Sequence, residues 1–406
     1  MKFYFPDSHD LVDPSFDFDT ERRSYNGSRH RSQLYAHEVF DSPPYDGMLL
    51  SLATVDQNSK AKRYNFGQVR SIEDNGIREF LRLDHFAPKF YLKAMGDCGS
   101  FSYLNEPEPP FSVEDVMSFY LRCGFDCGIS LDHVILGFDA KESVQVPDEW
   151  KRRHALTLHL AEQFLRLMPK GESRFQPIGA AQGWSPASYR QAVEKLQLMG
   201  YSYIALGGMV PLKTPEILAV LEEVQKIRRP NTRLHLLGIS RFEAAERFAS
   251  FGVYSLDSTG PLKQAFMDER DNYHTPTRTY TAVRIPQVDG NPKLKARILS
   301  GTVDQGQAVR LERECLRCVC AFAAKTGTLE AAISILREYE GLWNGNKSAS
   351  AAYQVTLADR PWEKCPCAVC RALGVHVVIF RGAERNRRRG FHNLYVLREK
   401  LNSLNN

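Results

Sequence analysis

The chain has 406 residues, 43% hydrophobic and 25% charged, which suits one large globular domain with an elaboration, or two domains. No apolar run reaches the ~18 residues of a membrane span, and Met1-Lys-Phe-Tyr-Phe-Pro6 lacks the basic flank and apolar core of a signal peptide. A cytoplasmic location is therefore expected, with the nine cysteines as thiols or metal ligands rather than disulfides; the net charge of +5 allows a nucleic-acid partner without identifying one.

Residues 1–44 are rich in Asp, Ser, Arg and aromatics, lack clear periodicity and read as an N-terminal extension. From 45 to 267, strand-like runs alternate with helical ones. The runs 47–53, 89–95, 129–138, 175–181, 203–206, 234–239 and 252–256 are short, apolar and rich in branched or aromatic residues. That makes seven strands; the eighth is left to 80–83 or to part of the N-terminal region. Apolar residues at three- and four-residue steps predict helices over 185–199, 214–226 and 241–250. Ser185-Pro186 and Thr214-Pro215 both read as a cap followed by proline, while Gly200 and Gly252 read as left-handed stops. This alternation predicts a parallel sheet and favours a (β/α)8 TIM barrel over a doubly wound sheet. Residues 268–350 read as an insertion with helices at 308–325 and 328–342, and 351–406 as a zinc-binding subdomain with a C-terminal helix.

Cys365-Pro-Cys367-Ala-Val-Cys370 and, downstream, His392 supply three thiolates and an imidazole, a full tetrahedral set for zinc. A filled set leaves no position for reactive water, so the expected Zn2+ is structural. His376 is nearer in sequence but sits in an apolar run. Arg381, Arg385, Arg387, Arg388 and Arg389 crowd the stretch before His392 and read equally as phosphate contacts or as a solvated loop. Cys315, Cys318 and Cys320 fall in an apolar helical stretch, where core packing outweighs metal binding.

In a parallel barrel the reactive groups gather at the C-terminal ends of the strands. Those positions hold Asp97, Asp132, Gln182, Gly207, Gly208 and Asp257. Two carboxylates can divide glycosidic chemistry between nucleophile and acid/base. A third carboxylate, an amide and bare backbone N–H groups suit a purine edge. Singly, each Asp reads as a turn or cap residue; the conjunction carries the signal. His133, beside Asp132, reads as structural.

At this point the sequence resembles the tRNA-guanine transglycosylase superfamily. Asp97-Cys-Gly-Ser-Phe101 resembles its D-S-G-G motif ending in Phe or Tyr, Gly179-Ala-Ala-Gln-Gly183 its G-x-x-Q-G, and Tyr203-Ile-Ala-Leu-Gly-Gly208 the motif ending in its glycine pair. Leu236-Leu-Gly-Ile-Ser240 with Gly252-Val-Tyr-Ser-Leu-Asp257, and the Cys3His set, are similar to two more of its signatures. The resemblance implies a TIM barrel with a zinc subdomain near the last strand, and exchange of guanine for a 7-deazaguanine. Asp257 would be the nucleophile on the sugar C1′ and Asp97 the general acid/base. Asp132, Gln182 and the Gly207-Gly208 backbone would read the base edge, beside Cys98, with Phe101 and Leu237 flanking the base.

Departures narrow this. Gly208-Met-Val-Pro-Leu-Lys213 has no carboxylate for an aminomethyl group and looks closer to the archaeal type, whose base is the nitrile preQ0. Cys98 stands where the family has Ser, and Gly260-Pro261-Leu262 where it has P-T-R. The start at Phe3 and the later Tyr35-Ala-His-Glu38 resemble the DNA-modifying branch called DpdA. Double-stranded DNA is thus the expected polymer, with partner proteins of a phage-defence modification system. An archaeal-type tRNA enzyme and a non-catalytic zinc-bearing nucleic-acid-binding subunit are the alternatives.

Overall fold

A computed structural model describes residues 1–23, 32–140, 145–169, 174–345 and 348–404. Eight parallel strands close into one barrel in chain order: β1 Lys2–Pro6, β2 Gly47–Ser51, β3 Lys93–Asp97, β4 Cys127–Ile129, β5 Gln176–Ala181, β6 Tyr203–Leu206, β7 Arg233–Leu236 and β8 Val253–Asp257. The lumen is filled by inward side chains, among them Tyr4, Leu49, Met95, Ile129, Ile178 and Tyr203. Because the strands are parallel, their C-terminal residues form a single rim.

The missing strand is β1. Phe3-Tyr-Phe5 has the aromatic composition of a strand, and Pro6, lacking an N–H, ends it. Tyr4 pairs with Gly47 on one side and with Asp257 on the other, so β1 is the seam that closes the barrel. The barrel therefore begins at Lys2 and not at residue 45, and 80–83 is no strand: Ile77–Phe80 is a helical turn. The expected strand 129–138 is also shorter. β4 ends at Ile129, and the apolar residues beyond it run on without a strand partner, burying Leu131, Val134 and Ile135.

Helix ends follow local chemistry. Ser185 caps Pro186–Met199 by accepting from Ser188 N at 3.2 Å, and Gly200 ends it at φ 112°. Thr214 is inside its helix rather than capping it; Lys213 takes the cap position of Thr214–Gln225.

The chain divides into two compact units, one of Met1–His9, Tyr45–Thr259 and Leu401–Asn406, the other of Asp10–Pro44 and Gly260–Lys400. The first holds the barrel. In the second, Gln305–Ala323 and Leu329–Asn344 are helices, as is the C-terminal helix Gly382–Ser403 as far as Lys400. Cys315 is buried on the first of these and donates to Ile335 O, as expected of a packing thiol.

Candidate active site

The last residue of β3, Asp97, stands on the rim. Gly99 turns the chain back at φ 81°, where an added Cβ would lie 2.7 Å from that of Ala53, and aims its N–H at Asp97 Oδ2 (3.0 Å). Ser51, closing β2, donates to the same oxygen at 2.7 Å. Desolvation holds the Asp97 carboxyl above the usual value against the opposing Ser51 hydrogen bond, and the charge of Asp257 adds a smaller upward push. The two carboxylates therefore sense each other at one rim.

Asp132 follows β4 and is 1% exposed. Its carboxyl is pushed up to about 7, by burial first and by the neighbouring Asp97 second. Gln182, just past β5, donates to Asp132 Oδ2 at 2.6 Å and accepts from Ile135 N at 3.2 Å, which fixes its amide orientation. The glycine pair follows from Gln182. A Cβ on Gly207 would meet Gln182 Nε2 at 2.2 Å, and one on Gly208 (φ 72°) would meet Ile135 O at 2.3 Å. Only bare backbone fits there; Gly207 N–H donates to Ala181 O at 3.0 Å and its carbonyl accepts from Tyr189 Oη at 2.7 Å, which holds the pair against the amide. Cys98 is buried beneath, with Sγ 3.7 Å from both Tyr120 Oη and Ile129 O. Phe101 is half-exposed on a short 3-10 turn, and Leu237, just past β7, is partly buried. His133 is enclosed, its Nε2 2.9 Å from Glu106 O, a structural placement.

Asp257 ends β8, 6% exposed. Its direction depends on a register shift. Leu234 pairs with Val253, but His235 pairs with Ser255, so Tyr254 is an additional residue on β8. Without that insertion the alternation of the strand would turn Asp257 to the opposite face. Its Oδ1 accepts from Gly238 N at 2.8 Å, and His235 Nε2 lies 3.1 Å away. His235 Nδ1 in turn is 2.7 Å from Ser255 Oγ, which hydrogen-bonds Tyr203 Oη. His235, Ser255 and Ser51 were not among the residues expected from sequence. The available signal was strand phase: a polar residue two before Asp257 and a histidine between Leu234 and Leu236 in β7.

In the second unit, Cys365, Cys367, Cys370 and His392 converge with all ligand atoms within 4.8 Å of one another. His392 Nδ1 is 3.5 Å from Cys365 and Cys367 Sγ and 3.3 Å from Cys370 Sγ. A tetrahedral ion with metal–S of about 2.3 Å and metal–N of about 2.0 Å separates N from S by about 3.5 Å, so the set fits a metal ion. His392 Nε2–H donates to His274 O at 2.7 Å, which leaves Nδ1 as the ligand atom, and Tyr273 stacks on the ring at 4.0 Å. His376 is not in the cluster; its ring faces Phe18.

The arginines correct the sequence reading. They lie on or next to the helix Gly382–Ser403, not in a solvated loop, and four of them are buried. Arg381 bonds Glu21 (2.6 and 2.7 Å) and Glu312 (2.6 Å). Arg385 bonds Glu21 and Phe18 O; Arg388 bonds Glu384 and Asp13 O. Arg389 spends its fork on the carbonyls of Ala265, Val377 and Ile379. Arg387 alone is partly open, with Nη1 3.1 Å from Leu11 O and Nε 3.6 Å from Asp10. Guanidiniums buried against carboxylates and carbonyls have most of their donors engaged within the chain, unlike those of an open phosphate-binding loop.

Among the described residues no helix is long and apolar enough to cross a membrane. No family model matches the chain. A protein of Salmonella montevideo named DNA-guanine transglycosylase is 46% identical over 409 residues, covering 99% of this chain and 96% of that protein. With that identity along nearly its whole length, and a barrel rim carrying the carboxylates, amide and glycine pair described above, the chain belongs to the DNA-guanine transglycosylase family.

Proposed function

We propose that the protein exchanges guanine in double-stranded DNA for the 7-deazaguanine preQ0 through a covalent Asp257–sugar intermediate. Asp257 attacks C1′ as the N-glycosidic bond breaks, and Asp97 delivers a proton to the leaving guanine. The incoming base then returns a proton to Asp97 while its ring nitrogen displaces Asp257 from C1′. One glycosidic bond is broken and one formed, so the step needs no external energy source. The observation that supports this best is the coupling of the two rim carboxylates: a raised proton affinity on Asp97, in the field of Asp257, suits a group that must hold a proton and then give it up.

Asp132 and the Gln182 amide, with the Gly207 and Gly208 backbone, supply acceptors and donors for a purine edge, and Phe101 and Leu237 supply its faces. Met209-Val-Pro-Leu212 after the glycine pair brings no carboxylate, which favours a neutral nitrile over an aminomethyl group. The Cys3His set would hold a structural Zn2+, since four protein ligands leave no open position. The name of the Salmonella relative favours DNA over tRNA, and work in the cytoplasm beside other proteins of a modification system accords with that reading.

The test is incubation of the full chain with labelled preQ0 and either duplex DNA or tRNA. Label should enter DNA and not tRNA, and should vanish in Asp257→Ala, with exchange down about 10⁴-fold or more. Label confined to tRNA would reject the DNA substrate. Exchange surviving in Asp257→Ala would reject the covalent mechanism.

A further inference from the structure

We propose that His235 is a positioning residue for base exchange: as a neutral imidazole it holds Asp257 Oδ1 in place so that Oδ2 makes the attack. This rests on the reading of Asp257 as the nucleophile. His235 is fully buried in β7, inside a lumen otherwise lined largely by apolar side chains and tyrosines. Four groups run in series there. Tyr203 Oη meets Ser255 Oγ; Ser255 Oγ is 2.7 Å from His235 Nδ1; His235 Nε2 is 3.1 Å from Asp257 Oδ1.

The direction of this series follows from what each group can donate. A carboxylate only accepts, so the hydrogen between His235 and Asp257 belongs to Nε2. Burial pushes the Tyr203 phenol well above its ordinary value, so it keeps its proton, and since Ser255 Oγ is its hydrogen-bond partner among the described residues we take Tyr203 as the donor of that bond. Ser255 then has one hydrogen of its own and one acceptor in reach, His235 Nδ1. The order is Tyr203 to Ser255 to His235 to Asp257, and it selects one neutral tautomer of the imidazole. A second donor, Gly238 N–H, reaches the same Oδ1 at 2.8 Å. Among the described residues no hydrogen bond reaches Oδ2.

The mechanical consequence is specific. Oδ1 is pinned by two donors and Oδ2 is left to bond C1′. In the glycosyl ester Oδ1 becomes the carbonyl oxygen and still accepts from both donors, so the side chain need not turn between the two half-reactions. No proton leaves His235 in either half. A buried polar series of this length is costly unless every member is satisfied, and here it ends on the nucleophile.

Two variants at one position separate positioning from packing. His235→Phe keeps the ring volume and removes both nitrogens; His235→Gln returns an N–H donor near the Nε2 position. For exchange of labelled preQ0 into duplex DNA we expect His235→Phe to lower kcat about 30-fold or more with KM within about threefold, and His235→Gln to stay within about fivefold of the parent. In the parent the 15N shifts of His235 should show a single neutral Nε2–H tautomer; Ser255→Ala leaves the His235–Asp257 contact and so keeps that tautomer, while the Nδ1 shift should move toward the value of an unbonded acceptor nitrogen. That readout holds even if His235→Phe does not fold. His235→Phe at full kcat, His235→Gln as impaired as His235→Phe with both melting like the parent, or an Nδ1–H tautomer or an imidazolium at His235 in the parent would each overturn the proposal. If His235→Phe is fully active while Asp257→Ala is inert, only the positioning role fails. If Asp257→Ala retains exchange, the nucleophile assignment fails and takes this inference with it.

Discussion

The two units bury charge in opposite ways. At the barrel rim, Asp97, Asp132 and Asp257 are surrounded by neutral donors (Ser51, Gly99, Gln182, Gly238), and among the described residues none is ion-paired with Lys or Arg. In the second unit, Arg381, Arg385 and Arg388 are each matched to a carboxylate from Glu21, Glu312 or Glu384. Matched charge is structural: it stays ionised and its donors are spent. Buried without a cation, Asp97 and Asp132 take up protons at higher pH, which costs stability and creates groups able to exchange protons nearer neutrality. The contrast supports the proposed division between a rim that reacts and an arginine cluster that holds the fold.

That contrast can be broken experimentally. The largest effect is expected from Cys367→Ser, which removes one of four ligands. If the set holds the proposed Zn2+, zinc content should fall to near zero and melting by roughly 5–10 °C, several kcal/mol of the stability a structural metal supplies. Unchanged zinc and unchanged melting would remove the metal from the account.

Glu21→Ala comes next. It strands Arg385 as an uncompensated buried cation and leaves Arg381 with Glu312 alone, for which a loss of about 3–5 kcal/mol is expected. Burial opposes ionisation of Glu21, yet the Arg381 hydrogen bond and the two arginine charges hold its pKa down from 4.5 to about 2. Its contribution is therefore complete above the unfolded value and lost as pH falls through the folded one. The stability difference between variant and parent should shrink between pH 4.5 and 2. A difference independent of pH across that window would show that packing, not charge, is at work.

Asp132→Asn should act in the opposite sense. The folded protein retains a proton on Asp132 that the unfolded chain releases above 3.8, so this group lowers stability progressively as pH rises from 3.8 to about 7. The amide removes that penalty. At pH 8 the variant should be more stable by roughly 2–4 kcal/mol, and at pH 4 nearly equal to the parent, while exchange falls about 100-fold. A variant less stable than the parent at pH 8 would mean that the rim carboxylates are paired after all.

The smallest effect belongs to Arg387→Ala. Its side chain is 28% exposed and 3.6 Å from Asp10, so chemical denaturation should register no more than about 0.5 kcal/mol. A loss several times larger would extend the structural role to all five arginines.

Much of this was legible beforehand because the relevant signals are local. Seven of the eight strands appear as apolar runs, and Cys365, Cys367 and Cys370 share one short stretch whose spacing already states its chemistry. Gly207 and Gly208 could be picked out with Gln182 since both motifs end strands. β1 was hidden: five residues in a polar, aperiodic stretch carry no alternation to read, and their partners, β2 and β8, lie far along the chain. His235 was hidden because its meaning depends on the insertion of Tyr254 in β8, which sets the phase of Ser255 and Asp257.

The amino-acid sequence by itself determined the barrel class, the ligand set at the C-terminal end and which carboxylates stand at strand ends, since periodicity and motif spacing act over a few residues. Only the tertiary structure decided where those groups point and what neutralises them. Asp257 faces the lumen through a register shift between two strands, and Arg381 is saturated by Glu21, 360 positions away. Partners at such separations are brought together by chain folding, and a run of arginines has the same composition whether it faces phosphate or glutamate.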